Sequence, residues 1–118
     1  MSDAPGLNAV LVTFDRPDEL RATLEKILGQ SRRPDRLLVV DNGASGDAAL
    51  TVTDFAGRGL AIELLDAQEN LGPAGGFALG MTEVLATAGD DDWVVLLDDD
   101  DPPYFDNALA RGLSFGVE

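Results

Sequence analysis

The chain contains neither cysteine nor histidine among its 118 residues. Without cysteine it has no disulfide framework, no thiolate nucleophile and no cysteine-based metal site. Without histidine it offers no Ser-His-Asp triad and no histidine-ligated zinc site. Metal chemistry in this sequence therefore depends on oxygen ligands, which suit hard cations such as Mg²⁺, Mn²⁺ or Ca²⁺.

Basic residues are also scarce. Eight Lys and Arg residues stand against 22 Asp and Glu residues, which gives a net charge of −14. Because phosphate contacts along a nucleic acid need clustered Lys and Arg, this excess argues against a nucleic-acid partner. It argues equally against a surface that docks on anionic lipid.

Long hydrophobic runs are absent as well. No segment reaches the roughly 18 apolar residues that a membrane-spanning helix needs, and residues 1–7 lack the basic residue of a signal peptide. We therefore expect a cytoplasmic location, with peripheral attachment at the inner face of the membrane in the full-length protein. The hydrophobic content of 45% is enough to build a core, and the length fits one small domain or part of a larger one.

Short apolar runs predict four buried strands. They cover residues 7–14, 36–40, 60–65 and 93–97, and none shows the clean alternation of a half-exposed strand. Such runs are typical of a sheet that is covered by helices on both faces.

Helical patterns separate these runs. One predicted helix begins at Pro17 and carries apolar residues at helical spacing, and another spans about residues 47–55. A Gly-rich loop is predicted at residues 70–76, followed by a helix with one apolar face made of Phe77, Met81, Val84 and Leu85. A short helix is also predicted near residues 104–111. The alternation predicts an α/β fold with about four parallel strands.

The predicted topology brings acidic and amide side chains to one edge of the sheet. In an open parallel sheet, ligands bind beyond the carboxyl ends of the strands. The residues that follow the four strands there are Asp15, Arg16, Asp41, Asn42, Asp66, Asn70 and the run from Asp98 to Asp101. The convergence follows from the topology alone and predicts a ligand site.

The run of four aspartates is the most informative feature at that edge. It is either a solvated acidic loop or a cation site, because adjacent carboxylates repel one another unless a cation or open solvent intervenes. Its position at the end of a buried strand favours a cation held by Asp98 and Asp100, with Asp99 turned away or touching a sugar. An EF-hand calcium loop does not fit, since its sixth and twelfth positions would be Pro103 and Leu109.

Other candidates at this edge have a plain structural interpretation and a functional one. Asp41 and Asn42 form either a strand-ending turn or an acceptor for a base or ribose. Gly75 and Gly76 either let a helix approach the sheet closely or present backbone N–H groups to a ligand. Arg16 is either a solvated loop residue or a partner for phosphate.

Taken in order, these pieces resemble the inverting glycosyltransferases of family 2, which have the Rossmann-like GT-A fold. The matching pieces are residues 12–16, 38–42, 70–76 and 96–100. The Asn-x-Gly-x-x-Gly-Gly form with the triple aspartate looks most like the galactofuranosyl and rhamnosyl transferases of the family. The resemblance extends over about residues 7–115.

The resemblance implies a function in which a sugar is transferred from a nucleotide-diphospho-sugar, UDP- or dTDP-linked, to a glycan or lipid-linked acceptor. The nucleotide would be bound by Thr13, Phe14, Asp15, Arg16, Asp41 and Asn42, with Asp41 on the base. The donor sugar would lie near Gly72, Gly75, Gly76, Asp98 and Asp99. Asp98 and Asp100 would form the DxD motif that holds Mn²⁺ or Mg²⁺ on the diphosphate.

Members of this family are longer, and they carry their catalytic base after the DxD motif. Residues 1–118 therefore resemble a single donor-binding half-domain, without the acceptor half, so we expect no catalytic residue and no sugar transfer by this chain alone. We also expect self-association into a homo-oligomer through an exposed sheet edge.

Three other classes of protein remain as alternatives. A phosphoacceptor receiver domain needs paired acids after the first strand and a lysine near the last, whereas the single lysine, Lys26, lies in the first predicted helix. A sugar nucleotidyltransferase carries a basic Gly-rich loop where this chain has residues 13–17. A non-catalytic module that binds metal or nucleotide is the third.

Overall fold

The computed structural model describes residues 6–43, 45–89 and 91–99. Strands and helices alternate along them. The elements are β1 (Leu7–Thr13), α1 (Pro17–Leu28), β2 (Arg36–Asp41), α2 (Asp47–Phe55), β3 (Ile62–Asp66), α3 (Gly72–Leu85) and β4 (Trp93–Asp98). The four predicted strands and the first three predicted helices are confirmed, and the short helix predicted near residues 104–111 lies outside the described residues.

The strands form one parallel sheet in the order β3-β2-β1-β4. β1 is central, and its last residue, Thr13, lies beside Asp41 of β2. On its other side Val12 lies beside Asp98 of β4. The register therefore places the ends of β1, β2 and β4 at the same level, as the predicted convergence requires.

Helices cover both faces of the sheet, because β1 and β2 are apolar on both faces. On one face Ala9, Leu11, Leu37 and Val39 pack with α1 and α2, and Phe55 fills this layer. On the other face Val10, Val12, Leu38 and Val40 pack with Val84 of α3. The edge strands β3 and β4 are only partly buried, so the expectation that every strand is covered on both faces holds for the two central strands only.

The Gly-rich segment departs from its predicted loop conformation, because α3 begins at Gly72 and not after Gly76. Gly72 has a φ of +73°, which glycine tolerates, and its N–H donates to Asn70 Oδ1 at 2.9 Å. The next residue, Pro73, favours the first turn of a helix because its φ is fixed. The turn and the proline together start the helix five residues earlier than predicted, at Gly72 instead of Phe77.

The face of α3 that meets the sheet agrees only in part with the predicted one, since Val84 is buried and Phe77 packs against the same cluster, as predicted. Its buried residues are Gly76, Gly80 and Val84, spaced four apart, whereas Leu85 is 60% exposed. A Cβ on Gly80 would lie 2.4 Å from Val10 Cγ1 and 3.0 Å from Val40 Cγ2. Gly76 and Gly80 therefore let the helix backbone rest directly on the sheet, which matches the packing interpretation for Gly76, whereas a Cβ on Gly75 would meet Leu71 and not the sheet.

Two aspartates, Asp92 and Asp35, stabilise the beginning of β1 by accepting hydrogen bonds from the backbone there. Asp92 accepts hydrogen bonds from the N–H groups of Gly6 and Gly89 at 2.9 and 2.8 Å, and these bonds, first that from Gly89, hold its pKa below the usual value. Asp35 accepts from the Leu7 N–H at 2.8 Å. The pKa of Asp35 is also lowered, first by its hydrogen bond with Arg32 and then by that with Leu7.

Apolar side chains are exposed on β4, where Trp93 is 36% and Leu96 45% exposed. Within the described sheet β3 and β4 are the edge strands, and self-association through such an edge stays a prediction. Among the residues described, no helix has the length and apolar character needed to cross a membrane.

Candidate functional site

A groove of about 230 Å³ lies where the strands end. It is bounded by the ends of β1, β2 and β4 and by the first turn of α3. Its lining residues are Val12, Thr13, Phe14, Arg16, Asn42, Asn70, Gly72, Pro73, Asp98 and Asp99. The position agrees with the rule that parallel α/β sheets bind ligands beyond the carboxyl ends of their strands.

The groove gathers most of the residues that the sequence predicted as binding residues. Of these, Thr13, Phe14, Arg16, Asn42, Gly72, Asp98 and Asp99 line it. Asp15, Asp41, Gly75 and Gly76 are not among its lining residues, and Asp100 lies outside the described residues. Sequence reasoning did not assign Pro73 to the site, although a proline next to Gly72 is a recognisable signal for a helix start.

Asp98 is the exposed acid of the groove. It ends β4 beside Val12, and its side chain is exposed. Since successive residues of a strand point to opposite faces, Asp98 shares the α3 side of the sheet with Val12, while Asp99 points to the α1 side. Asp98 and Asp99 therefore occupy different environments even though they are adjacent in sequence.

Asp99 is buried, with 5% of its surface exposed. Its Oδ2 accepts a hydrogen bond from Thr13 Oγ1 at 2.9 Å, and its Oδ1 lies 3.4 Å from the Arg16 guanidinium. Its backbone carbonyl accepts a 2.7 Å bond from Thr23 Oγ1 of α1. Asp99 nevertheless lines the groove, and the choice between its two expected roles, turned away or touching a sugar, stays a prediction.

Thr23 is a residue of this cluster that sequence reasoning missed. It is 1% exposed and lies among the apolar residues of α1, with Leu20, Leu24 and Ile27. A threonine on the apolar face of a helix is a usable signal, because a buried hydroxyl needs a hydrogen-bond partner. The partner itself, 76 positions further along the chain, could not be predicted from spacing.

Asn42 joins the end of β2 to the beginning of α3. Its backbone N–H donates to the Thr13 carbonyl at 2.9 Å, and its Nδ2 donates to the Gly72 carbonyl at 3.0 Å. A Cβ on Gly76 would lie 2.8 Å from Nδ2, so glycine at position 76 makes room for this bridge. Gly76 thus shapes the groove from behind, through Asn42.

Asp41 and Asp15 stabilise the turn that follows β2. Asp41 is 7% exposed, and its Oδ1 accepts from the Gly43 N–H at 2.9 Å. Asp15, which has a φ of 48°, accepts from the Ser45 N–H at 3.1 Å. A Cβ on Gly43 would overlap the Asp15 carboxylate, so the Asp-Asn-Gly sequence is needed for this turn.

Burial raises the pKa of Asp41 above its usual value, and the charges of Asp66, Asp15 and Asp47 raise it further. The hydrogen bond from the Gly43 N–H acts in the opposite direction. An ionised carboxylate in this position therefore weakens the fold at neutral pH, which is the kind of compromise expected at a binding site.

Replacing Asp41 with asparagine should stabilise the fold at pH 7. A carboxyl whose pKa is raised by folding contributes its full stability below the unfolded pKa of about 3.9, and that contribution is lost as pH rises through the folded value. Asp41→Asn keeps the oxygen that faces Gly43 but carries no charge. We expect Asp41→Asn to have a higher thermal midpoint than wild type at pH 7. The difference between the two midpoints should become smaller below pH 4, as measured by circular dichroism.

The control for that experiment is Asp91→Asn, which removes the same charge from an exposed residue. It should leave the midpoint near the wild-type value at both pH values. A lower midpoint for Asp41→Asn at pH 7, or the same gain at every pH, would contradict the effect of burial on Asp41.

Comparison with families of known proteins gives a single consistent result. The family model that matches is Glycosyl transferase family 2, over residues 9–114. The chain is 49% identical over 86 residues to the galactofuranosyltransferase GlfT1 of Mycobacterium tuberculosis H37Rv, and 41% identical over 86 residues to GlfT1 of Mycolicibacterium smegmatis. Each match includes 73% of this chain and 28% of the relative, so the chain spans well under half the length of these curated relatives.

Solved structures share the fold. The mannosyltransferase PcManGT of Pyrobaculum calidifontis, in complex with GDP-Man and Mn²⁺, superposes with a TM-score of 0.76 at 21% identity, over 97% of this chain and 33% of that one. TarS 1-349 of S. aureus, in complex with UDP, gives a TM-score of 0.74 at 16% identity, over 93% of this chain and 31% of that one. At these identities the likeness concerns the fold.

Proposed function

Because the chain belongs to glycosyl transferase family 2, we propose that it is the donor-binding part of an inverting glycosyltransferase. In this proposal it binds a nucleotide-diphospho-sugar, UDP- or dTDP-linked, together with Mn²⁺ or Mg²⁺. The full-length enzyme passes the sugar to a glycan or lipid-linked acceptor in cell-wall or polysaccharide synthesis. A galactofuranosyl residue is the sugar that the 49% identity to GlfT1 favours.

The groove at the strand ends is the observation that carries the proposal. It is lined by Thr13, Phe14, Arg16, Asn42 and Asp98, which end or follow the neighbouring strands β1, β2 and β4. β2 and β4 flank β1, so their ends lie about 10 Å apart, two inter-strand spacings. We assign the nucleoside to the β2 side, near Asp41 and Asn42, and the diphosphate to the β4 side, near Asp98.

The residues of the groove fit a hard divalent cation. Within the described residues no three Asp or Glu side chains converge on one point. Mg²⁺ and comparable cations, however, are commonly held by one or two carboxylates together with substrate phosphates and water. Asp98 supplies one carboxylate here, and we assign the second to Asp100. When bound, the cation neutralises charge on the diphosphate leaving group.

The remaining groove residues orient the donor in this proposal. Phe14 is 44% exposed at the groove, where an aromatic ring stacks on a flat base. Arg16 is half-exposed and supplies positive charge for phosphate. Gly72 and Pro73 form the wall that continues from Asn42 into α3, close to where the donor sugar would lie.

Isothermal titration of the purified chain with UDP and dTDP, with and without MnCl₂, tests this function. We expect binding of one of them with Mn²⁺ and at least about tenfold weaker binding in EDTA, because Asp98 would hold the cation that offsets the charge of the diphosphate. GDP serves as the nucleotide control and should bind more weakly than the preferred pyrimidine nucleotide.

Nucleotide affinity that is equal in EDTA and in Mn²⁺ would contradict the assigned cation site. Binding of Ca²⁺ without any nucleotide affinity would favour a simple metal-binding module instead. Neither outcome would alter the assignment of the family, which depends on sequence.

A further inference from the structure

Asp99 lies at the junction of three elements. Its carboxylate contacts Thr13 at the end of β1 and Arg16 in the following loop, and its backbone carbonyl contacts Thr23 of α1. Both carboxylate oxygens are engaged by the protein itself, and only 5% of the residue is exposed. A buried carboxylate requires such partners, since an unpaired one is strongly unfavourable in the interior.

This anchorage determines the direction of the neighbouring residue. Along extended backbone, successive side chains point to opposite faces. Asp99 is held on the α1 side of the sheet by Thr13 and Thr23, so the preceding side chain, that of Asp98, is directed to the α3 side, beside Val12 of the groove. The contacts of Asp99 thus determine where the side chain of Asp98, the last residue of β4, points.

We infer that Asp99 is a positioning residue, which fixes Asp98 toward the groove and holds Arg16 in place by a charge pair. Asp99 also lines the groove, but both of its carboxylate oxygens are engaged by Thr13 and Arg16, and for this reason we assign it the positioning role instead of the donor-sugar contact expected from the family resemblance. The inference rests on the proposed function, because it assigns the oriented carboxylate of Asp98 to a cation.

The two roles of Asp99 have opposite consequences for nucleotide binding. Replacing Asp99 leaves the side chain of Asp98 less well oriented, and so weakens the nucleotide binding that depends on the cation. The same replacement takes away one carboxylate that lies 3.4 Å from the Arg16 guanidinium, which favours contact between Arg16 and a phosphate. A purely structural role would weaken binding with and without the cation alike.

The test measures UDP or dTDP affinity of wild type and Asp99→Ala by titration calorimetry, in MnCl₂ and in EDTA. We expect about a tenfold to hundredfold loss in MnCl₂, the range typical of residues that orient a metal ligand, and an unchanged or tighter affinity in EDTA. In an Asp98→Asn background, Asp99→Ala should cause no further loss in MnCl₂, because Asp99 acts through Asp98.

Two further variants keep the test decisive if Asp99→Ala fails to fold. Thr23→Val removes the bond to the Asp99 carbonyl with little change in volume, and it should lower affinity in MnCl₂ severalfold while leaving affinity in EDTA unchanged. Val84→Ala lies in the last turn of α3, whose first turn borders the groove; it loosens the core on the α3 side and serves as the control for general destabilisation.

Three results would overturn the positioning role. They are an equal loss of nucleotide affinity in MnCl₂ and in EDTA, additive losses in the double variant, or the same loss of affinity in Val84→Ala. If wild type binds no nucleotide in either buffer, the proposed function fails first. If wild type binds with Mn²⁺ and Asp99→Ala binds as well, the inference about Asp99 fails alone.

Discussion

Asp98→Asn is expected to reduce Mn²⁺-dependent nucleotide affinity by at least about 100-fold while the protein remains folded. Residues that only orient metal ligands commonly account for 10- to 100-fold in affinity, so a ligand itself should account for no less. Asparagine keeps the size of the side chain and one oxygen, but it loses the negative charge that a divalent cation requires. Titration calorimetry with UDP or dTDP in MnCl₂ measures the loss.

Because Asp98 is exposed, its substitution should change nucleotide affinity without destabilising the fold. Its side chain is exposed at the groove, and it lies in a chain with a net charge of −14. Removing one negative charge from such a surface relieves repulsion, so the thermal midpoint should stay level or rise. Asp91→Asn, an exposed aspartate before β4, is the matched control and should bind as wild type. Affinity of Asp98→Asn within about threefold of wild type would remove Asp98 from the cation site.

Gly80→Val should be the most destabilising single change in α3, by about 3 kcal/mol or more. The Cβ alone would lie 2.4 Å from Val10 Cγ1, far inside van der Waals contact. Overpacking of a close-packed core typically costs about 1–3 kcal/mol, and the branched valine adds more bulk against β1 and β2. Against a typical total stability of about 5–15 kcal/mol, the variant should unfold at much lower urea concentration.

Ala78→Val is the matched control for that change, because residue 78 is on the exposed side of the same helix. It should lose no more than about 0.7 kcal/mol, the difference in helix propensity. A second check combines Gly80→Ala with Val10→Ala, which removes the methyl groups that obstruct the new Cβ. The double variant should be more stable than the sum of the single losses predicts. A Gly80→Val protein with wild-type stability would show that α3 does not rest on β1 as described.

The sequence predicted the fold well because its signals were local. β1 and β2 carry uninterrupted apolar runs, and Pro17, followed by two acids, marks the start of α1. The beginning of α3 was predicted less well. Gly75 and Gly76 were read as loop residues since glycine is unfavourable inside helices by propensity, and that preference was overridden by contact with the sheet. The decisive information, the proximity of Val10 and Val40 to Gly80, is not local in sequence.

The candidate site likewise combines features that the sequence predicts with features that depend on tertiary contacts. Because parallel strands end at one edge, the sequence alone determined that Thr13, Asn42 and Asp98 would converge, and the order of motifs indicated the family before any geometry was known. It also excluded cysteine and histidine chemistry and restricted metal binding to oxygen ligands.

Tertiary structure alone decided what each acid does. Asp98 and Asp99 have identical side chains and adjacent positions, so composition and spacing treat them alike. Strand pairing with β1 and packing against α1 separate them, since one side chain is exposed in the groove and the other is buried against Thr13, below Thr23. Burial and hydrogen bonding depend on residues that are more than 70 positions apart, and only the folded chain brings those residues together.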